Sequence, residues 1–202
     1  MPTIGHGEAA IHYEVEGSGP TLILHTGGGG DLRMWRMAGY TEGLPRRRLV
    51  LMDHRGHGES GRPRGIEHHH IDAYVQDVIG VADDLGTEKF SFFGYSGGAA
   101  VGYRLAARHH DRIVALVGLG AVGPEAETTE DALELAARVR DEGAKALLTS
   151  LRTDEPDLPD WFADQMLATD PEMFALGLEG RTSWGGPWEE FRRIMAPTLI
   201  VT

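Results

Sequence analysis

Residues 90–100 read FSFFGYSGGAA, an apolar run that breaks into Gly-x-Ser-x-Gly and continues into small residues suited to a helix. This order predicts a strand that reverses into a helix within a few residues. Gly94 and Gly98 lack the Cβ atoms that would clash across so tight a turn. We therefore expect Ser96 to adopt a strained backbone conformation at the C-terminal edge of a sheet. The helix N-terminus beside it would stabilise a negative charge on oxygen.

Two segments upstream show the same change from an apolar strand to a polar loop. Residues 21–30, TLILHTGGGG, predict a buried strand that runs into a glycine loop, where main-chain N–H groups can approach a ligand closely. Residues 48–60, RLVLMDHRGHGES, predict a second buried strand that ends in polar residues and glycines. In a chain with 28 glycines among 202 residues, Gly-x-Ser-x-Gly alone can arise by chance. The strand before it, the helix after it and these two segments favour the catalytic interpretation.

Taken together, the three segments resemble the α/β-hydrolase superfamily, in the branch that uses a serine nucleophile. Its members commonly carry His-Gly after the third strand, Asp-x-Arg-Gly-x-Gly-x-Ser after the fourth and Gly-x-Ser-x-Gly after the fifth. One position departs from this pattern, because Thr26 stands where the family usually has glycine. The resemblance implies an α/β fold with a doubly wound, mainly parallel sheet and a helical cap insertion.

The resemblance also assigns roles to individual residues. Ser96 would attack the carbonyl carbon of the substrate, and the backbone N–H groups of Gly27 and Gly97 would form the oxyanion hole. One such donor typically changes the rate by about 10²–10³-fold. The residues expected to support the surrounding loops are His25, Gly28, Asp53, Arg55, Gly94, Tyr95 and Gly98. This chemistry requires neither a cofactor nor a metal. The serine disfavours haloalkane dehalogenase and epoxide hydrolase activity, because those relatives carry aspartate at the turn.

The pattern of strands and helices divides the chain into three parts. Residues 1–122 alternate strands with helices and are predicted to form the N-terminal part of the core. Residues 123–193 contain amphipathic helices without strands and resemble the cap that covers the serine in many relatives. Residues 194–202 return to the core as a strand that looks like the family's seventh. The predicted core elements are strands over 10–16, 21–25, 49–53, 89–95 and 113–119 and helices over 31–40, 71–85 and 97–110. The apolar residues expected to divide between the cap core and the pocket lining are Trp161, Phe162, Met166, Met173, Phe174, Trp184 and Trp188.

The other two members of a catalytic triad are missing from their family positions. In the family the acid usually follows the seventh strand and the histidine follows the next one, so the chain resembles a hydrolase truncated at its C-terminus. Glu125 and Glu127, after the sixth strand, are candidates for the acid, as in some relatives. Among the histidines present, His25 is expected to brace loops, and His54 and His57 to stabilise turns.

Composition excludes several classes of partner and site. Nineteen basic against 31 acidic residues give a net charge of −12, which argues against nucleic acid or an anionic membrane surface as a partner. The absence of cysteine excludes disulfides and thiolate metal sites. Three adjacent histidines at 68–70 are a poor metal site, because consecutive residues point in different directions. Residues 1–17 lack the features of a signal peptide, and no stretch approaches the length of a membrane span, so we expect a cytoplasmic protein.

The sequence therefore predicts a serine hydrolase that cleaves a small ester, lactone or related acyl substrate through an acyl-serine intermediate. Proline iminopeptidase-like peptidase and cofactor-free perhydrolase activities stay open as alternatives, because the fold does not choose among them. A different class of function is that of a catalytically incompetent fragment or a non-catalytic binding scaffold. Because the acid and the histidine are missing, we expect the 202-residue chain itself to be inactive or very weakly active.

Overall fold

The computed structural model describes residues 2–5, 7–120, 129–154, 156–182 and 191–201. In this part of the chain, seven strands form one sheet in the order β1-β2-β4-β3-β5-β6-β7. The strands are β1 (Thr3–Ile4), β2 (Ile11–Gly17), β3 (Thr21–His25), β4 (Arg48–Met52), β5 (Phe90–Tyr95), β6 (Ile113–Leu119) and β7 (Thr198–Val201). The neighbouring strands β4, β3, β5, β6 and β7 pair in parallel. Strand β2 runs antiparallel to β4, and β1 runs antiparallel to β2. The predicted doubly wound, mainly parallel sheet is confirmed.

The centre of the sheet is apolar because helices cover both of its faces. The helices of the core are α1 (Arg33–Met37), α2 (Tyr40–Gly43), α3 (Ile71–Asp84) and α4 (Gly97–Arg108). On one face α3 and α4 pack on the sheet with fully buried Tyr74, Val78 and Phe92. On the other face Trp35 of α1 is fully buried against Phe93, with the two ring centroids 5.0 Å apart.

The order of the strands creates a crevice between β3 and β5. The chain passes from β3 to β4 on one side and then to β5 on the other side of β3. In open parallel sheets, ligands bind outside the carboxyl ends of the strands at such a reversal. His25 at the end of β3 lies opposite Gly94 near the end of β5. The loops that follow these two strands therefore begin side by side.

Four helices lie between β6 and β7 in the described part of the chain. They are α5 (Thr129–Glu142), α6 (Lys145–Asp154), α7 (Asp160–Ala168) and α8 (Pro171–Arg181). They share an apolar core that includes Val139, Met166 and Phe174. Helix α8 begins at a well-formed cap, because an Asp170 carboxylate oxygen accepts hydrogen bonds from the backbone N–H groups of Glu172 at 2.9 Å and Met173 at 3.4 Å. The predicted division of the chain at residues 122 and 193 stays a prediction.

Strand β7 is exposed along its whole length, with Leu199 58% and Ile200 47% exposed. It pairs with β6 on one side, and within the described residues no strand pairs with its other edge. Among the residues given a position in the structure, no helix is both long and apolar enough to cross a membrane.

Candidate active site

Ser96 occupies the sharp turn between β5 and α4. Its backbone has φ 51° and ψ −119°, a region that residues other than glycine rarely adopt. Two hydrogen bonds hold the turn, since the Ser96 N–H donates to the Leu119 carbonyl at 2.8 Å and the Ser96 carbonyl accepts from the Ala99 N–H at 2.9 Å. The residue is partly exposed. The strained serine expected between strand and helix is therefore found at this position.

Glycines on either side of Ser96 permit the close approach of three backbone segments. A Cβ on Gly94 would overlap the carbonyl oxygen of Gly98. A Cβ on Gly98 would overlap the carbonyl oxygen of His25 and lie 2.6 Å from that of Thr26. Because these obstacles are backbone atoms, they cannot rotate away as a side chain could. The turn packs this tightly only with glycine at both positions.

The glycine loop after β3 touches the serine turn directly. A Cβ on Gly27 would lie 2.8 Å from the backbone nitrogen of Gly97 and 2.9 Å from the Cβ of Ser96. Within the described residues, neither the Gly27 nor the Gly97 N–H donates a hydrogen bond. Gly97 is the first residue of α4, where backbone donors lack intrahelical partners and the helix dipole is positive. The geometry thus brings together the three residues that the sequence analysis assigned to nucleophile and oxyanion hole.

Asp53 joins strand β2 and the segment before α1 to the loop after β4. Its buried carboxylate accepts hydrogen bonds from His12 Nδ1 at 2.8 Å, the Leu32 N–H at 2.7 Å and the Glu59 N–H at 2.9 Å. Burial raises the pKa of Asp53, and the three hydrogen bonds oppose that shift. Leu32 lies just beyond the glycine loop, so Asp53 fixes the far end of that loop. Sequence reasoning identified Asp53 but missed its partner His12.

Arg55 anchors the loop after β4 to helix α3. Its guanidinium binds Asp77 in a bidentate ion pair, with Nε to Oδ2 at 2.9 Å and Nη2 to Oδ1 at 2.6 Å. Nη1 also donates to the His68 carbonyl at 3.2 Å. Burial raises the pKa of Asp77, while the Arg55 guanidinium lowers it. Sequence reasoning identified Arg55 but missed Asp77, although an aspartate on the otherwise apolar face of α3 was a usable signal.

Three buried histidines lie next to the serine turn. The ring centroids of His25 and His54 are 5.1 Å apart, and those of His54 and His57 are 5.2 Å apart. Burial lowers the pKa of His25 to about 3 and of His57 to about 4, so both are neutral at pH 7. His25 Nδ1, His54 Nδ1 and His57 Nε2 have no hydrogen-bond partner among the described atoms. His57 Nδ1 pairs with the backbone carbonyl of Arg55 at 3.1 Å.

Helices α7 and α8 contact the glycine loop and the serine turn from above the sheet. A Cβ on Gly28 would lie 3.1 Å from the Phe174 ring, and a Cβ on Gly29 would lie 3.2 Å from the Met166 Cε atom. The Phe162 and Tyr95 rings are 6.4 Å apart. These contacts agree with the expectation that apolar residues of this segment face the site. Trp184 and Trp188, and the candidate acids Glu125 and Glu127, lie outside the described residues.

Arg181, the last residue of α8, also reaches the serine turn. One of its guanidinium nitrogens, Nη2, lies 3.6 Å from the position of a Cβ on Gly97. A small cavity lies between them, lined in part by Gly28, His57 and Phe174. Sequence reasoning missed Arg181, because an arginine near a helix C-terminus is common and carries no motif.

A larger cleft, of about 300 Å³, lies beside the Asp53 network rather than beside Ser96. Acidic and basic side chains both line it, among them Glu14, Arg33, Glu59 and Arg62. Neither Ser96 nor Gly97 lines this cleft, whereas His57 lines both the cleft and the small cavity beside Gly97.

The structure offers no metal site in the part of the chain that it describes. Among the residues with described positions, no three histidine or carboxylate side chains are grouped to hold a metal ion. At the histidine triplet, His69 uses both ring nitrogens in hydrogen bonds, to the Tyr74 hydroxyl and the Pro63 carbonyl. This ring therefore serves to hold the loop after β4 in place.

Known proteins resemble this chain both in sequence and in fold. An uncharacterized hydrolase of Bacillus subtilis, YraK, is 30% identical over 155 residues, which cover 73% of this chain and 56% of that protein. The chain spans about half the length of the curated relatives it matches. The crystal structure of the enol-lactonase from Burkholderia xenovorans has a TM-score of 0.81 and 28% identity, covering 98% of this chain and 80% of that one.

A second solved structure, a thermophilic esterase from Thermogutta terrifontis, has a TM-score of 0.82 and 26% identity and covers 95% of this chain and 74% of its own. The family model described as "alpha/beta hydrolase fold" matches residues 20–192. That match extends over most of the chain and includes the glycine loop, the Asp53 loop and the serine turn. The chain therefore belongs to the α/β-hydrolase fold family, and the relatives named above are hydrolases.

Proposed function

We propose that this chain carries the nucleophile and the oxyanion hole of a serine hydrolase that acts on a small ester, lactone or related acyl substrate. The observation that supports it most directly is the close approach of Gly27 to the strained Ser96 turn and to the backbone nitrogen of Gly97. A serine in an ordinary surface turn has no need for positive φ or for the three tightly packed glycines around it.

In the proposed reaction, Ser96 Oγ attacks the carbonyl carbon and its proton passes to a base. The carbonyl oxygen becomes negative and accepts hydrogen bonds from the Gly27 and Gly97 N–H groups. These donors act without reorganisation, because the glycine loop and the start of α4 already hold them in place. The tetrahedral intermediate then collapses, expels the alcohol and leaves an acyl-serine. Water attacks this ester in a second round, releases the acid and restores Ser96.

In this proposal the base is a histidine that the 202 residues do not include, at the family position after the strand that follows the seventh. His25 and His57 are neutral, but both are buried, and their pKa values are strongly lowered. A base with a pKa near 3 or 4 is a poor match for proton transfer at pH 7. We therefore assign these rings to packing beneath the site, with Asp53 and Arg55 fixing the loops around them.

The substrate class rests on the site and on the relatives. Helices α7 and α8 bring Phe174, Met166 and Phe162 towards the loops around Ser96, which suits an acyl group of modest size. The enol-lactonase and the esterase, at 28% and 26% identity, favour a lactone or ester over a peptide. In this proposal α5 to α8 act as the cap over the serine.

The test is covalent labelling of the full-length gene product with a fluorophosphonate probe, followed by peptide mass spectrometry. We expect the probe on Ser96 and its loss in Ser96→Ala. Ser91→Ala is the matched control, because Ser91 is a partly exposed serine of β5, the strand that leads into the turn, and lies outside the turn itself. A folded protein in which Ser96 stays unlabelled would contradict the serine mechanism and favour the binding scaffold. Hydrolysis of a panel of short esters and lactones then ranks the substrates.

A further inference from the structure

We infer that Gln165 of α7 is a positioning residue for the oxyanion hole. Its side-chain amide holds the end of the glycine loop through Asp31, and the loop in turn holds the Gly27 N–H towards the reacting carbonyl. The inference rests on the proposed function, since it assigns to Gln165 a part in the same oxyanion hole. It predicts that Gln165 affects the rate of the chemical step without contacting the substrate.

Gln165 binds one residue of the core with both ends of its amide. Its Nε2 group donates to Asp31 Oδ1 at 3.1 Å, and its Oε1 atom accepts from the Asp31 N–H in a longer bond of 3.5 Å. A side-chain amide can donate to a carboxylate and accept from an N–H at the same time, whereas leucine can do neither and an ionised glutamate can only accept. The chemistry of this side chain, and not only its size, therefore matters at position 165.

Asp31 lies where the glycine loop ends. It directly follows the last glycine, and the next residue, Leu32, donates its N–H to Asp53 at 2.7 Å. Arg33 also holds the Asp31 carboxylate, with Nη2 to Oδ2 at 2.6 Å. Asp53 and Arg33 thus fix this end of the loop from the core, and Gln165 adds a restraint from a different element, α7.

The last three glycines of the loop each face a side chain of α7 or α8. The pairs are Gly28 with Phe174, Gly29 with Met166 and Gly30 with Gln165 Oε1, at 3.1, 3.2 and 3.6 Å from the position of a Cβ on the glycine. Contacts with Phe174 and Met166 are apolar, so they cover the loop without fixing a direction. Hydrogen bonds depend on angle as well as distance, so the two bonds of Gln165 also restrain the orientation of the loop.

The burial of Gln165 supports a role beyond covering the loop. Only 6% of the residue is exposed, and the other buried residues of α7 are apolar. A buried amide costs stability unless it is hydrogen-bonded, so an apolar side chain would cover the glycines at less cost. Four consecutive glycines have large conformational freedom and no side chains through which a helix could hold them. Gln165 instead reaches the first side chain after them, and an oxyanion donor needs such restraint before the substrate arrives.

The test uses two single variants and one exchange of groups. Gln165→Leu keeps an apolar cover over the loop and removes both hydrogen bonds, whereas Gln165→Glu keeps the shape and places a second carboxylate against Asp31. In the double variant Gln165→Glu with Asp31→Asn, the amide and the carboxylate change places, so both hydrogen bonds can form again. Gln76→Glu is the control, because Gln76 is an exposed glutamine of α3. We would measure kcat and KM of the full-length gene product on p-nitrophenyl butyrate and record the thermal unfolding of every variant.

We expect Gln165→Leu to lower kcat by about 3- to 30-fold, which corresponds to the net contribution of one or two hydrogen bonds. KM should stay within about threefold, because the charge on the carbonyl oxygen develops only in the transition state. Gln165→Glu should lose more, because its carboxylate repels that of Asp31, and the double variant should recover most of this loss. Gln76→Glu should match the wild type.

A folded Gln165→Leu variant with the kcat of the wild type would overturn the positioning role, as would a double variant as slow as Gln165→Glu. A loss carried by KM alone would overturn it too, because it would indicate that Gln165 contacts the substrate. The comparison of Gln165→Glu with the double variant decides the question even where Gln165→Leu is unstable. A wild-type protein that neither hydrolyses the ester nor takes up the fluorophosphonate probe at Ser96 would instead overturn the proposed function.

Discussion

Replacement of Gly27 by alanine tests the oxyanion arrangement where the two loops are closest. The new Cβ would lie 2.8 Å from the Gly97 nitrogen and 2.9 Å from both the Ser96 Cβ and the Tyr95 carbonyl oxygen. Contacts below 3.0 Å are not tolerated, and none of these atoms can swing aside. We therefore expect the glycine loop to shift away from the serine turn and to carry the N–H of residue 27 with it.

The size of the effect follows from the loss of one donor. Removing a single oxyanion donor typically lowers kcat by about 10²–10³-fold. KM should change little, because the charge on the oxygen develops only in the transition state. Overpacking of this kind costs about 1–3 kcal/mol of stability. Since small domains have about 5–15 kcal/mol available, the variant should still fold.

Gly30→Ala is the matched control in the same loop. Its Cβ would meet only Gln165 Oε1 at 3.6 Å and Met34 Sδ at 3.7 Å, which are ordinary contacts, and neither glycine has a positive φ. We would compare kcat and KM of the two full-length variants on p-nitrophenyl butyrate and record their thermal unfolding. If both variants fold and their kcat values agree within a factor of about three, the oxyanion role of Gly27 is refuted.

Two further predictions concern the buried groups that support the site. Arg55→Met should lower the free energy of unfolding, measured in urea, by about 3–5 kcal/mol, because it leaves the Asp77 carboxylate buried without its partner. The double variant Arg55→Met with Asp77→Leu should recover most of that loss. A double variant as unstable as the single one would contradict this account of the pair. The second prediction concerns pH: His25 and His57 have pKa values of about 3 and about 4, below the ordinary 6.5, so the unfolded chain binds more protons as pH falls from 6.5 towards 4. The free energy of unfolding should fall in that window by about 1.4 kcal/mol per pH unit for each histidine. His57→Gln should reduce the change of the urea midpoint with pH, whereas the exposed His110→Gln should leave it as in the wild type. The same pH dependence in the wild type and in His57→Gln would contradict this prediction.

Features determined by neighbouring residues could be predicted from the sequence. The turn at Ser96 depends on the apolar strand before it, Gly94 and Gly98 within it, and the small residues after it, all within about ten positions. Strand β6 was predicted at residues 113–119 and spans Ile113–Leu119. The amphipathic helices expected within residues 123–193 include Thr129–Glu142, although the exact ends of a helix do not follow from apolar periodicity, because polar residues there weaken the pattern without ending the helix.

Partners from distant segments could not be predicted in the same way. His12 and Asp53 are 41 positions apart, and their hydrogen bond follows from the antiparallel pairing of β2 with β4. Asp77 could have been recognised as a buried charge in need of a cation, since it falls on the apolar face of α3. Arg181 carried no such signal, because its nearness to Gly97 depends on how α8 packs over the core.

The glycine loop shows how these distant contacts bear on the chemistry. Four consecutive glycines have large conformational freedom, so their N–H groups would point in many directions if the loop were held only by its ends in sequence. The pairing of His25 with Gly94 fixes the start of the loop, and the hydrogen bond from the Leu32 N–H to Asp53 fixes its end. Between these anchors the tight contact with Gly97 restricts Gly27 further. Asp53 thus contributes to the position of the oxyanion donor without contacting the substrate, which is why a loop motif distant from the serine in sequence belongs to the same site.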